Sequence, residues 1–132
     1  ATHAEYGTPG TVLITPAACA LPPPEGAPRL DGRMPVHLTA GSAAARIYGT
    51  TEALEEFHCS FGLDPAYEPL FQGDGLRITG VGDEGEARVV ELDGAGFFIG
   101  TLFMPQIAVA AGEPHPLVDA FVRAAAAGAT GG

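Results

Sequence analysis

The residues with the most chemical potential sit in the alternating run Glu55-Glu56-Phe57-His58-Cys59-Ser60-Phe61. Drawn out as a strand, Phe57, Cys59 and Phe61 share one face, while Glu56, His58 and Ser60 share the other. An imidazole that titrates near neutrality, beside a carboxylate able to orient it, is the minimum equipment for proton transfer, so His58 and Glu56 are the candidate catalytic residues. The same alternation also describes a half-buried strand whose polar side is merely wet, and both readings stand. His58 and Cys59 point to opposite sides, which makes a direct His-Cys dyad geometrically poor, and Cys59 between two phenylalanines reads as a core residue.

The remaining histidines carry less. His115, in Pro114-His115-Pro116 ahead of an apolar helical stripe, reads as a capping or packing residue. His37 sits between Val36 and Leu38 and is expected to point outward, and His3 lies near the start of the sequence. No two histidines have a ligand spacing, so no metal is expected. Asp83-Glu84-Gly85-Glu86 reads as solvated acids at a hairpin tip. Neither a Gly-x-Gly-x-x-Gly nor a phosphate-binding loop is present, and no cofactor is expected.

The elements that position these groups follow from local pattern. Thr11–Thr15 and Val36–Leu38 read as short strands, with a stiff Pro22-Pro23-Pro24 connection or lid between them. Ser42 caps a helix over Ala43–Tyr48 that Gly49 stops. A helical turn covers Pro65–Phe71, and Leu76–Val81 with Ala87–Leu92 forms a hairpin. Phe97–Phe103, apolar on both faces, reads as a central strand covered from both sides. A last helix over Leu117–Ala127 presents Leu117, Val118, Phe121 and Val122 as one stripe, ending at Gly128.

At 132 residues the chain suits one domain. Its net charge is −10, and its six cationic side chains are all arginine. That composition argues against nucleic acid and anionic membrane as partners, and the absence of lysine removes Schiff-base chemistry. The two cysteines, Cys19 and Cys59, have no Cys-x-x-Cys spacing and read as free thiols, with a disulfide the alternative. No basic-then-apolar leader and no long apolar run are visible, so the expected location is cytoplasmic.

Several segments together resemble the second half of class I glutamine amidotransferase domains, in particular the group related to the C-terminal region of CTP synthase. They are Gly41-Ser42-Ala43-Ala44-Ala45 with Tyr48-Gly49, Glu55 to Leu63, Val89-Val90-Glu91-Leu92, Phe97 to Pro105, and Pro114-His115-Pro116-Leu117 with Phe121. The resemblance implies a single glutaminase-like domain fragment over 1–132: an irregular, Pro-rich segment over 1–33, a family-like region over 34–127 and a tail over 128–132. It implies an α/β fold, a mixed sheet flanked by helices like the C-terminal half of a flavodoxin-like glutaminase domain.

The same resemblance places Met104 and Gln106 where the family carries its catalytic His and Glu. A thiol nucleophile needs an imidazole to activate it and a carboxylate to fix that imidazole; a thioether accepts no proton and a primary amide carries no charge. The family's Gly-x-Cys-x-Gly elbow is also missing, since neither Cys19 nor Cys59 has flanking glycines, and the sequence is expected to begin after it. The implied substrate contacts are Ser60, Cys59, Met104 and Gln106. Two functional expectations follow. One is a repurposed small enzyme of specialised metabolism, acting on a small molecule through His58 and Glu56. The other is a non-catalytic pseudoenzyme module that binds a ligand or completes a partner. With half the family's sheet unaccounted for, the apolar strand would expose an edge, which implies a homo-oligomer or a companion chain.

Overall fold

The computed structural model describes residues 2–3, 10–16, 32–57 and 61–130. Strands β1 (Thr2–His3), β2 (Val12–Pro16) and β3 (Gly32–Leu38) precede helix α1 (Ala43–Tyr48); β4 (Glu52–Phe57), β5 (Phe61–Leu63), β6 (Leu76–Val81), β7 (Ala87–Leu92) and β8 (Ile99–Thr101) follow it, and helices α2 (Gln106–Ala110) and α3 (Pro116–Thr130) come last. A 3-10 segment covers Pro65–Phe71. The strands form a five-stranded sheet in the order β4-β3-β6-β7-β8 and a small sheet in the order β1-β2-β5. All pairings in the larger sheet are antiparallel, and the parallel pair β1-β2 lies in the small one. The α/β class therefore holds, with both pairing directions present across the two sheets.

Side-chain parity sets the core. In β3, Val36 and Leu38 face inward, and β4 answers with Phe57 opposite Gly32. Val89 of β7, Ala44 and Ala45 of α1, Phe103 and Leu117 complete a single apolar cluster. Pro35 is accommodated in β3 because at that point the strand pairs only with β4, contact with β6 being confined to His37 and Leu38. That short pairing and the register shifts between Ile78 and Val81 in β6 let the sheet curl. The end of β4 thereby meets the far side of the sheet: the Phe57 and Phe103 rings pack edge to face at 5.9 Å. The buried Arg88 guanidinium lies 4.6 Å above the Phe57 ring and pairs with Glu86 at 2.9 Å.

Helix α1 is held at both ends as its sequence predicts. Ser42 Oγ accepts from the Ala45 N–H at 3.1 Å, and Gly49 takes a left-handed φ of 72° while its N–H donates to Ala45 O. The buried Glu91 carboxylate of β7 accepts from the N–H groups of Ala43 at 2.8 Å and Ala44 at 3.3 Å, which fastens the helix to the sheet.

Three expectations need correction. The doubly covered central strand is β7, not Phe97–Phe103, of which only Ile99–Thr101 pairs, and only with β7. Phe98 is 48% exposed, and among the described residues β8 is one of the two edge strands of the sheet, β4 being the other. The described ends of the run from Glu55 to Phe61 lie in different sheets, Glu55–Phe57 in β4 of the large one and Phe61 in β5 of the small one. Finally, α3 runs through Gly128 to Thr130, because alanines on either side sustain the helix past the glycine.

Gly80 is fixed by contact. A Cβ there would stand 2.6 Å from Val89 Cγ2 and 2.8 Å from Val89 Cβ. Gly80→Ala is expected to cost about 1–3 kcal/mol through overpacking, measured by urea unfolding.

His37 gives a second expectation. Its Nε2 lies 2.8 Å from Asp83 Oδ1 and its Nδ1 lies 3.5 Å from Glu52 Oε1, on the exposed side of β3. The hydrogen bond to Asp83 outweighs slight desolvation and raises its pKa above the ordinary 6.5. A raised folded-state pKa contributes stability below the unfolded value, and that contribution disappears as pH rises through the folded one. An NMR titration should place the His37 midpoint above 6.5, and Asp83→Asn should lower it.

Candidate functional site

Strand parity carries Glu55 inward with Phe57, and its carboxylate ends in the interior at 6% exposure. Two elements bring it donors. Tyr48, the last residue of α1, donates its phenol to Glu55 Oε1. His115, just before α3, places Nε2 2.9 Å from Glu55 Oε1 and 3.1 Å from Oε2. The other ring nitrogen is engaged as well: Nδ1 accepts the Leu117 N–H at 3.2 Å, and the His115 carbonyl accepts the Asp119 N–H at 3.0 Å. His115 is therefore the N-cap of α3. Pro116 at the first helical position has no amide proton, which leaves Leu117 as the first donor in need of an acceptor.

These hydrogen bonds assign the protons. An acceptor at Nδ1 requires a neutral ring with its proton on Nε2, donated to an ionised Glu55. Burial first, then the hydrogen bond to Glu55 and its charge, hold the Tyr48 phenol far above its ordinary pKa of 10.0, so it remains a donor. The Tyr48 and His115 rings meet edge to face at 5.8 Å.

This trio forms the floor of a cleft of about 280 Å³. Met104, Ala108, Pro114 and Pro116 give its lining apolar surface, and Arg33, Glu56 and Glu113 supply charge. The Met104 N–H donates to Glu56 O at 3.2 Å, which holds the segment after β8 against the end of β4. Arg33 Nε pairs with Glu56 Oε1 at 3.3 Å.

The structure places Glu56 and Met104 at this cleft. Gln106 starts α2, exposed and away from the lining. His58, Cys59 and Ser60 lie outside the described residues, as does Cys19. Glu55 and Tyr48 escaped the sequence reading, although a signal existed: if Phe57 faces the core, so does the residue two before it. Among the described residues no group of three or more His, Cys, Asp or Glu side chains is placed to hold a metal. Nor is any helix among them long and apolar enough to cross a membrane.

No family model matches the chain. It is 36% identical over 99 residues to a CTP synthase of Methanothrix thermoacetophila, covering 75% of this chain and 18% of that protein. It is 39% identical over 89 residues to a CTP synthase of Acidobacterium capsulatum, covering 67% and 16%. The chain thus spans less than a fifth of the length of these curated relatives. Among solved structures it superposes on the glutaminase domain of Trypanosoma brucei CTP synthase, described with bound acivicin. The TM-score is 0.74 at 24% identity, over 86% of this chain and 46% of that one. The fold is class I glutamine amidotransferase-like. Within the glutamine amidotransferase-like fold, the Glu55-His115-Tyr48 trio joins three elements that are far apart in sequence.

Removing the buried acceptor should be the costliest change at the site. Glu55→Ala leaves two buried donors unmet and is expected to lose about 2–4 kcal/mol, whereas Tyr48→Phe, which removes one bond to a charged group, should lose about 1.5–3 kcal/mol. Chemical denaturation of the two variants tests the order.

Proposed function

We propose that the chain is a glutamine amidotransferase-like module that does not hydrolyse glutamine and holds a small molecule in the cleft beside Met104. The carrying observation is that the one imidazole lining the cleft among the described residues has both nitrogens committed, Nε2 to Glu55 and Nδ1 to Leu117. A ring in that state cannot take a proton from a nucleophile without giving up a structural bond. Where the resemblance puts the family's base, the cleft has the thioether of Met104, and Gln106 stands outside it. A lining that combines apolar Met104, Ala108 and Pro114 with Glu56, Glu113 and Arg33 suits a compact ligand with both apolar and charged parts.

A second reading keeps chemistry in the site: His58 and Glu56 transfer a proton on the bound molecule. One observation favours it, the presence of Glu56 in the cleft lining. Completion of the sheet by a second copy or a companion chain is compatible with either reading and is supported by the open edge at β8.

Incubation of the chain with glutamine should release no ammonia above the rate without protein, and release at an enzymatic rate would overturn the proposal. A thermal-shift screen of small amino and carboxylic acids should give at least one compound that raises the melting temperature. Met104→Arg, which fills the cleft, should abolish that shift. Turnover of such a compound that disappears in His58→Ala would establish the second reading.

A further inference from the structure

We propose that His115 is a proton-operated latch: a second proton on its ring releases the first turn of α3 and with it one wall of the cleft. The starting state is set by hydrogen bonding alone. Glu55 accepts from Tyr48 and from His115 Nε2, and Nδ1 accepts from the Leu117 N–H at 3.2 Å. A neutral imidazole has one donor and one acceptor, and here both are in use. An added proton can go only to Nδ1, where it faces the Leu117 N–H, and two donors cannot share that place.

The competition is resolved toward the carboxylate. Protonation makes the bond from Nε2 to Glu55 charge-assisted on both sides, which strengthens it, while the contact with Leu117 turns repulsive. The ring therefore stays with β4, and α3 loses its cap. Pro116 has no N–H and cannot take over, so the loss falls on Leu117. Because Pro114, His115 and Pro116 all line the cleft, the release moves its wall.

Among the described residues the other ionisable groups around the ring are Glu113 before α3, Asp119 in its first turn, and Glu56 and Arg33 on the β3-β4 side, the last two paired with each other. Among the described residues the ring's hydrogen bonds run to Glu55, Tyr48 and Leu117. None of these groups offers Nδ1 an acceptor.

The inference concerns the chain without ligand, so its test is separate from that of the cleft's function. Nitrogen-15 NMR of the full chain at pH about 8 should show His115 neutral, with its proton on Nε2. As the ring titrates on acidification, protection of the Leu117 amide, corrected for intrinsic exchange, should fall about tenfold or more relative to the Ala45 amide of α1. His115→Gln offers one donor and one acceptor and should hold Leu117 protection constant with pH. A proton on Nδ1 in the neutral state overturns the latch. So does a ring that stays neutral until acid unfolding, or Leu117 protection unchanged through the titration. If His115→Gln does not fold, the wild-type titration decides alone.

Discussion

A carboxylate taken out of water must be met by donors, and most of this architecture can be traced to how Glu55 meets that demand. The donors come from the end of α1 and from the residue before α3, so satisfying one side chain of β4 fixes where two helices lie on the sheet. Apolar contact among Val36, Phe57, Phe103 and Leu117 provides a non-directional attraction, roughly in proportion to area. It does not determine which turn of α3 faces which strand. The hydrogen bonds to Glu55 do, because their geometry tolerates little displacement before a buried polar group goes unmet.

Glu91 repeats the arrangement on the opposite side of α1. Its carboxylate meets the first amides of the helix from β7, Ser42 accepts from the Ala45 N–H, and Gly49 donates to Ala45 O at the other end. A six-residue helix has little stability of its own, so it is held by these caps and by Ala44 and Ala45 packed into the core. With α1 anchored at its start, Tyr48 is delivered to Glu55 at its finish.

Much of this was legible in the sequence wherever the determinant was local. The caps of α1, the hairpin between β6 and β7 and the 3-10 turn after Asp64 each follow from a few adjacent residues whose preferences agree with the fold. The segments resembling glutaminases were likewise visible as an ordered set. What the sequence concealed depends on pairing across distance. Glu55 and His115 are sixty positions apart, and nothing in either neighbourhood marks the other as its partner. Phe97–Phe103 misled because apolar residues on both faces were read as burial on both faces. Phe97 instead packs against Phe121, Phe103 against Phe57, and Phe98 is left at the rim of an edge strand. Glu55 went unmarked beside Glu56 because two adjacent acids look alike in composition and opposite in parity, and both line the cleft.

That parity has a consequence for how this region can change over time. Arg88, Val89 and Glu91 each have a separate task, in the core or at the helix start, and β7 pairs with a neighbour on both sides. Along such a strand neither the identity of these residues nor the length can drift. Inserting or deleting one residue between Gly85 and Glu91 would turn the Glu91 carboxylate to the other face and leave α1 without its acceptor. The glycines of the loop from Asp93 to Gly96, by contrast, stand in open space at Gly94 and Gly96 and can absorb a change in number. Variation among descendants of this chain should therefore accumulate after β7, as insertions and substitutions in that loop, and spare β7 itself.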